Sequence, residues 1–357
     1  MEQKERLMQL PERLLNWYDQ NARVLPWREH PSPYRVWVSE IMLQQTRVKA
    51  VTPYFDRFIR EFPNIQALAE APEERLLKLW EGLGYYNRVR NLQKAAQIAT
   101  REYGGELPQD YRLLCGLPGI GAYTAGAILS IAYQKPYPAV DGNVLRVISR
   151  LLCCYDNLFD ASNRKKMTAQ IQEILPEEVG AFNQALMELG AVICRPNGEP
   201  LCESCPVAEI CLAKQNGVQS DLPVKPKKGN RRKEKRTVLL LFYQDRVFLR
   251  QRPEQGLLAK LWEYPNELGW WSGAELDAYI AQKGLCVSER RELSPYTHIF
   301  THIEWDMKGF ALILTKAPSG HLVDLDALDS VYSVPNAFLP YTEIARNYLE
   351  EVEISKK

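Results

Sequence analysis

The apolar residues of this chain follow two different periods, one on each side of a short basic stretch, and this switch limits the possible folds more than any other feature. From residue 1 to about 217 they recur at three- and four-residue intervals, as in RLLKLWEGL, NLQKAAQIATREY and AYTAGAILSIAY, which is the spacing of helices with one buried face. Gly and Pro punctuate the helices at GLGYY, YGGELP, LPGIG and QKPYP. Beyond residue 236 the runs TVLLLFYQ, RVFLRQR and GFALILTKA read as short strands, with GAELDAYIAQKG and YTEIARNYLEEVE helical between and after them. The intervening VQSDLPVKPKKGNRRKEKR has almost no apolar periodicity and reads as a linker. The expected organisation is multidomain: an all-α domain over 1–217, a basic linker over 218–236 and an α+β domain over 237–357. A length of 357 residues agrees, because one core rarely serves so long a chain.

Apolar content of 46% and charge of 25% describe a globular protein. No stretch approaches the roughly 20 apolar residues of a membrane span, and MEQKERLMQLPERLL lacks a secretory core. A cytoplasmic protein without membrane contact is expected. Net charge is +1 and decides nothing about partners, but Lys225 to Arg236 holds eight basic residues and one acidic one. Such a run is a solvated linker or one that lies along phosphates. Eight cysteines in a cytoplasmic chain do not suggest disulfides. Four of them form Cys194-x7-Cys202-x2-Cys205-x5-Cys211, close enough to hold zinc or a [4Fe–4S] cluster. A nucleobase-deaminase zinc site is excluded, since the H-x-E segment His302-Ile-Glu304 follows the clustered cysteines by about 90 residues, where that signature places it before a P-C-x-x-C. Cys115, Cys153, Cys154 and Cys286 lie among apolar residues and read as buried fillers.

Three other segments carry chemistry. Leu117-Pro-Gly-Ile-Gly121 precedes a helical run. Gly119 and Gly121 permit a tight turn that exposes amides at the next helix start. The turn is either an ordinary glycine-capped connection or a helix-hairpin-helix that accepts a phosphate. In Ala139-Val-Asp-Gly-Asn-Val-Leu-Arg146, Asp141 is placed as a helix N-cap or as a functional carboxylate. In Pro33–Thr46, a helix puts Glu40 on one face with Val36, Trp37, Leu43 and Gln44. Apolar neighbours favour the neutral, proton-donating form of a carboxyl group.

Taken in order, LPWR (25–28), VSEIMLQQTRV (38–48), GLGYYNRVRNL (82–92), LPGIGAYTAGAI (117–128), AVDGNVLRV (139–147) and FNQALMELGA (182–191) resemble the MutY family of adenine DNA glycosylases, a branch of the endonuclease III superfamily. The resemblance covers the helical domain nearly end to end. It implies a helix-hairpin-helix glycosylase domain with an iron–sulfur loop, acting on adenine opposite 8-oxoguanine or guanine in duplex DNA. Endonuclease III carries a Schiff-base lysine two residues after the second hairpin glycine. Here that position is Tyr123, and Glu40 stands where the sister branch has no glutamate. The pair implies a monofunctional glycosylase.

Carried over on matching positions, Glu40 is the general acid and Asp141 the stabiliser of an oxocarbenium-like sugar, with Asn143 and Tyr123 positioning them. Arg23, Trp27 and Leu43 match residues around the extruded adenine. Gln45 and Tyr85 match residues inserted into the opened base stack, and Thr46 and Leu83 are further substrate-binding positions. Leu117, Gly119 and Gly121 match the backbone anchor, and Cys194, Cys202, Cys205 and Cys211 the ligands of one [4Fe–4S] cluster. The first cysteine gap is seven residues where the family usually has six.

Arg252 to Pro265 resembles the opening of a Nudix, or MutT-like, domain, but 266–284 lacks the acidic R-E-x-x-E-E run that binds magnesium. A reader module without hydrolase activity is implied. Phe300-Thr301-His302 lies where the family carries a Phe-Ser-His loop that inspects 8-oxoguanine. Threonine keeps the hydroxyl and adds a methyl. A monomer associated with a bacterial nucleoid is expected.

Overall fold

A computed structural model of the chain describes residues 2–224 and 230–356. Two compact units emerge, Met1–Ala71 with Asn87–Lys227, and Pro72–Tyr86 with Lys228–Lys357.

The first unit is helical, as the three- and four-residue spacing requires. Helices Leu10–Asn21, Gly142–Leu151 and Val179–Val192 pack together through Leu10, Leu14, Val144, Ile148, Phe182 and Leu189. Gly142–Leu151 carries apolar residues at 144, 145, 147, 148 and 151, which give it a wide buried stripe. Helix Pro33–Leu43 differs in kind: every residue from Val36 to Met42 is buried. Ser32 caps it, accepting from the Arg35 amide at 3.3 Å, and Pro33 sits in its first turn. The guanidinium of Arg88 closes its far end by donating to the carbonyls of Ile41 and Met42, both at 2.9 Å.

The hairpin lies between helices Tyr111–Gly116 and Ala122–Ala127, the latter continuing as a π-helical turn, Ile128–Ala132. Asp110 caps the first helix through the amides of Arg112 and Leu113. Gly119 turns the chain at φ +80, and a Cβ there would meet Asn91 Cβ at 3.0 Å. A side chain at this position is opposed by both backbone strain and space.

The second unit is built on a seven-stranded sheet: β1 Arg232–Tyr243, β2 Arg246–Gln251, β3 Trp262–Glu263, β4 Asn266–Leu268, β5 Val287–Ile299, β6 Ile303–Leu314 and β7 His321–Val323. The path runs β3-β2-β1-β6-β5, with β4 paired to β1 and β7 to β2. β1 and β6 run parallel from Arg232↔Ile303 to Phe242↔Ile313, and the other pairs are antiparallel. Alternation along β1 sorts its side chains onto two cores. Val238, Leu240 and Phe242 pack with helix Leu339–Lys356, whereas Leu239 and Leu241 pack with helix Gly273–Lys283.

Several sequence expectations change. Helix Glu73–Trp80 and the turn after it belong to the second unit, although the sequence reading grouped 72–86 with the other helices. Lys78 donates to the carbonyls of Leu328 (2.9 Å) and Tyr332 (3.0 Å), Ser333 to Leu77 O (3.2 Å) and Asn336 to Gly82 O (3.0 Å). β1 begins inside the stretch read as linker. In the basic run, Lys225 to Gly229 lie outside the described residues. Further along, Arg232 and Arg236 pair with Glu234, Lys233 pairs with Glu304, and Lys235 lies over the Trp270 ring. Cys286 is exposed and Cys115, Cys153 and Cys154 are half-buried, so none is a fully buried filler. Among the described residues, no helix is long and apolar enough to cross a membrane.

Deleting 237–357 removes these partners and leaves helix Glu73–Trp80, which buries Leu76, Leu77 and Trp80 in the full chain, without the rest of its unit. The truncated protein is expected to melt below the helical transition of the full chain, followed by circular dichroism. Equal melting temperatures would show that 72–86 is held by the helical unit alone.

Candidate functional site

The all-round burial of helix Pro33–Leu43 leaves Glu40 only 5% exposed. Its carboxylate accepts a short hydrogen bond from the hydroxyl of Tyr123, which the hairpin's second helix supplies. Burial raises the Glu40 pKa from an ordinary 4.5 to about 7. Tyr123 and Arg28 act against that rise, and the charge of Asp141 adds to it. Tyr123 is held far above its usual range by burial and by both carboxylates, so its hydroxyl stays a donor.

Asp141 caps helix Gly142–Leu151 by accepting from the Val144 amide at 2.8 Å. Its second oxygen accepts from Asn143 Nδ2 at 2.7 Å. Burial raises its pKa, and these bonds hold the rise down. Asn143 in turn accepts from Arg146 at 2.8 Å. Gly190 on the neighbouring helix makes room: a Cβ there would lie 2.6 Å from Asn143 Cβ. The N-cap and functional readings of Asp141 are therefore compatible in one residue.

A cavity of about 1140 Å³ opens onto both carboxylates. Of the residues singled out by sequence, Arg23, Trp27, Glu40, Leu43, Gln45, Thr46, Tyr123, Asp141 and Asn143 line it. Gln45 has a left-handed backbone at φ 59, a conformation that costs energy for a non-glycine residue and clusters at functional sites. Leu117, Gly119 and Gly121 form the hairpin turn and are not among the lining residues. Leu83, Tyr85, Phe300, Thr301 and His302 belong to the second unit. Within that unit Tyr85, also left-handed at φ 48, reaches the Thr301 hydroxyl at 3.1 Å.

The sequence reading missed Glu188 and Arg28. Glu188 is 1% exposed and accepts from Arg23 Nη2 at 2.8 Å and Arg28 Nη2 at 2.9 Å on the cavity wall. Burial opposes its charge, but the two guanidinium groups outweigh that and hold its pKa below the usual range. One signal was available: a lone acid in the apolar run AFNQALMELGAV. It gained meaning only once its arginine partners were in place.

Away from this cavity, Cys194, Cys202, Cys205 and Cys211 line one apolar recess with Val147, Leu151 and Leu189. Burial pushes the Cys205 thiol up to about 12. Burial also raises the Cys211 thiol, so these two sulfurs need positive charge close by to ionise. Among the described residues, no three His, Cys, Asp or Glu side chains converge on a single metal-ion position. An all-sulfur set around one recess is a donor set for zinc or for an iron–sulfur group. In the second unit, Glu275 is used by Ser272 as a capping box and Asp277 pairs with Arg290.

Both units are similar to known proteins. Residues 38–177 match the model of the HhH-GPD superfamily base excision DNA repair protein, and residues 237–343 that of the NUDIX domain. The chain is 36% identical over 291 residues to an adenine DNA glycosylase of Buchnera aphidicola subsp. Acyrthosiphon pisum, covering 81% of this chain and 82% of that one. It is 35% identical over 375 residues to the adenine DNA glycosylase of Mus musculus, covering 86% and 71% respectively. A non-covalent endonuclease III–DNA complex superposes with a TM-score of 0.53 at 24% identity, over 61% of this chain and 100% of that one, a likeness of fold.

The raised pKa of Glu40 generates a stability prediction. The unfolded chain ionises this group near 4.5 and the folded chain near 7, so the folded state loses stability as pH climbs between them. Above 7 the full penalty applies, on the order of 3 kcal/mol at 1.36 kcal/mol per unit. Glu40→Gln, which carries no charge, is expected to raise the melting temperature at about pH 8 and to change it little near pH 4. Equal melting of the two proteins at the higher pH would mean that Glu40 is solvated.

Proposed function

The chain belongs to the adenine DNA glycosylase family within the HhH-GPD base excision repair superfamily, and we propose that it extrudes adenine paired with 8-oxoguanine or guanine from duplex DNA and hydrolyses its N-glycosidic bond without a lyase step. The observation that carries this reading is the pairing, in one cavity, of a buried carboxyl near neutral pKa with a capped carboxylate.

Glu40 in its neutral form donates a proton to N7 of the extruded adenine, which then leaves as a neutral base. The electron pair of the C–N bond departs with it, and the sugar becomes oxocarbenium-like. Asp141 opposes that positive charge, held in place by the Val144 amide and Asn143. The Glu40 carboxylate, now ionised, orients a water at the anomeric carbon and takes its proton, leaving an abasic site. Tyr123 holds Glu40 and offers no amine for a Schiff base.

Glu188 beside Arg28 and Arg23 presents an acceptor next to donors. The Watson–Crick edge of adenine offers an amino donor next to a ring-nitrogen acceptor, so the two edges complement each other. Trp27 and Leu43 supply apolar wall. The backbone amides at Gly119 and Gly121 suit a phosphate, and Gln45 in the first unit and Tyr85 in the second are each read as a residue that enters the opened stack.

Cys194, Cys202, Cys205 and Cys211 would hold one [4Fe–4S] cluster. When bound, it supplies cross-linking of the loop 194–211 and no step of the hydrolysis. Phe300-Thr301-His302 is read as the 8-oxoguanine contact, with Tyr85 bonded to Thr301 as its companion.

Excision should be assayed under single turnover on duplexes with A opposite 8-oxoguanine, G, C or T, with alkali added separately to reveal strand cleavage. The parent should release adenine opposite 8-oxoguanine and G and cut strands only after alkali. Glu40→Gln and Asp141→Asn should abolish release. The rate should fall as pH rises through about 7, where Glu40 loses its proton. Release by Glu40→Gln within tenfold of the parent would remove the assigned acid.

Thr301→Ala combined with His302→Ala is expected to reduce the preference for 8-oxoguanine over guanine. One or two lost hydrogen bonds are worth about 1–3 kcal/mol, or about 5- to 150-fold in competition binding. Full preference in that variant would move lesion reading elsewhere.

A further inference from the structure

Residues on the rim of the base cavity are used by none of the steps above. The acids among its lining residues are Glu40, Asp141 and Glu188. Arg47, Lys49, Arg164 and Arg195 also line it, and all four are exposed. Among the described residues, the side chains of Arg47, Lys49 and Arg164 meet no acceptor, and Arg195 uses only Nε, on the Val192 carbonyl at 3.0 Å. With them stands Phe159, 57% exposed.

Hydrogen bonds to Asn157 hold the turn that bears Phe159. Asn157 Oδ1 accepts from the Phe159 amide at 3.1 Å, and the Asn157 carbonyl accepts from the Asp160 amide and from Asn163 Nδ2, both at 3.1 Å. The preceding residue, Leu158, is buried in the helical core at 3% exposure. Anchoring Leu158 inward in this turn leaves the next side chain outward. A large ring held outward by an ordered turn, with guanidinium groups on the same rim, suits a stacked base flanked by phosphates.

We infer that Phe159 is a substrate contact that stacks on the base adjoining the extruded adenosine in the same strand, with Arg164 and Arg195 on the phosphates beside it. The extruded nucleoside enters the cavity while its own strand continues across the rim, so its neighbours are what the rim meets. This rests on the base-extrusion reading above and adds a contact outside the adenine pocket.

The test uses the full-length protein in a Glu40→Gln background, so that binding is read without turnover. The duplex carries A opposite 8-oxoguanine, with 2-aminopurine or an abasic analogue as the flanking nucleotide. Phe159→Ala should weaken binding about tenfold and change the 2-aminopurine emission of the complex. Phe159→Trp should restore both, and the loss should vanish when the flanking base is absent. In the Glu40-intact protein, the defect should appear in half-saturating DNA concentration and not in the saturated single-turnover rate. Arg164→Ala should lower the slope of log affinity against log salt by about one. Phe159→Ala with parental melting, parental affinity and parental emission would overturn the inference, as would an equal loss on the abasic-flank duplex. A parent that excises no adenine from any duplex would sink the glycosylase reading instead, and the binding comparison would still decide the place of Phe159.

Discussion

The helical unit depends on a carboxyl group kept out of water. Glu40 lies in a helix whose other residues from Val36 to Met42 are buried, so hydration cannot favour its ionised form. Left to burial alone, the group would be locked neutral and could donate a proton but never accept one. The Tyr123 hydroxyl and the Arg28 charge pull in the other direction, and the balance falls at about 7. Near that value both forms are accessible at ambient pH, which one residue needs if it is to protonate a leaving group and then orient water. Several features of the fold serve this balance. The hairpin delivers Tyr123, Ser32 and Arg88 close the two ends of the helix, and Gly190 leaves space for the Asn143 that steadies Asp141.

Periodicity and short motifs made much of this legible. The buried helix, the hairpin turn and the capped aspartate each follow from local rules, and local rules are what a single sequence displays. What escaped was nonlocal. Glu188 is one acid in an apolar helix until Arg23 and Arg28, about 160 positions earlier, meet it. Strand β5 was not read because VSERRELSPYTHI is an edge strand with only Leu293 buried, so it lacks the alternation that marks a strand half in a core. Residues 72–86 carried a helical pattern that could not say which core it served, and their partners lie some 250 residues onward. The seven-residue first cysteine gap is absorbed without dispersing the four sulfurs, which line one recess.

Stability and function pull apart at four residues. Holding Glu40 partly ionised in the interior is unfavourable, and the buried Glu188–arginine set contributes less to folding than apolar packing of the same volume often does. Gln45 and Tyr85 add left-handed backbone at residues with side chains. None of these is the choice of a chain optimised only to fold. All of them fall on residues for which a role in extruding, reading or releasing the base is proposed, whereas the cores of both units are ordinary aliphatic and aromatic packing.

The arrangement of charge in the cavity explains why such costs are tolerated. Inside the cavity Arg23 and Arg28 are paired with Glu188, while Arg47, Lys49, Arg164 and Arg195 stand exposed on its lining, so on the proposed reading the backbone is favoured at the mouth. On that reading an uncharged base enters an interior whose two arginines are already paired. Once inside, it meets an acceptor and donors whose directions are fixed by the Glu188–arginine set. A base that fails to match that edge would leave its own buried polar groups without partners, which costs far more than a poor apolar fit. The ion set would then matter less to folding than to selectivity. Held between the segment 23–28 and helix Val179–Val192, it would let the Glu40 proton be aimed at one atom of one base.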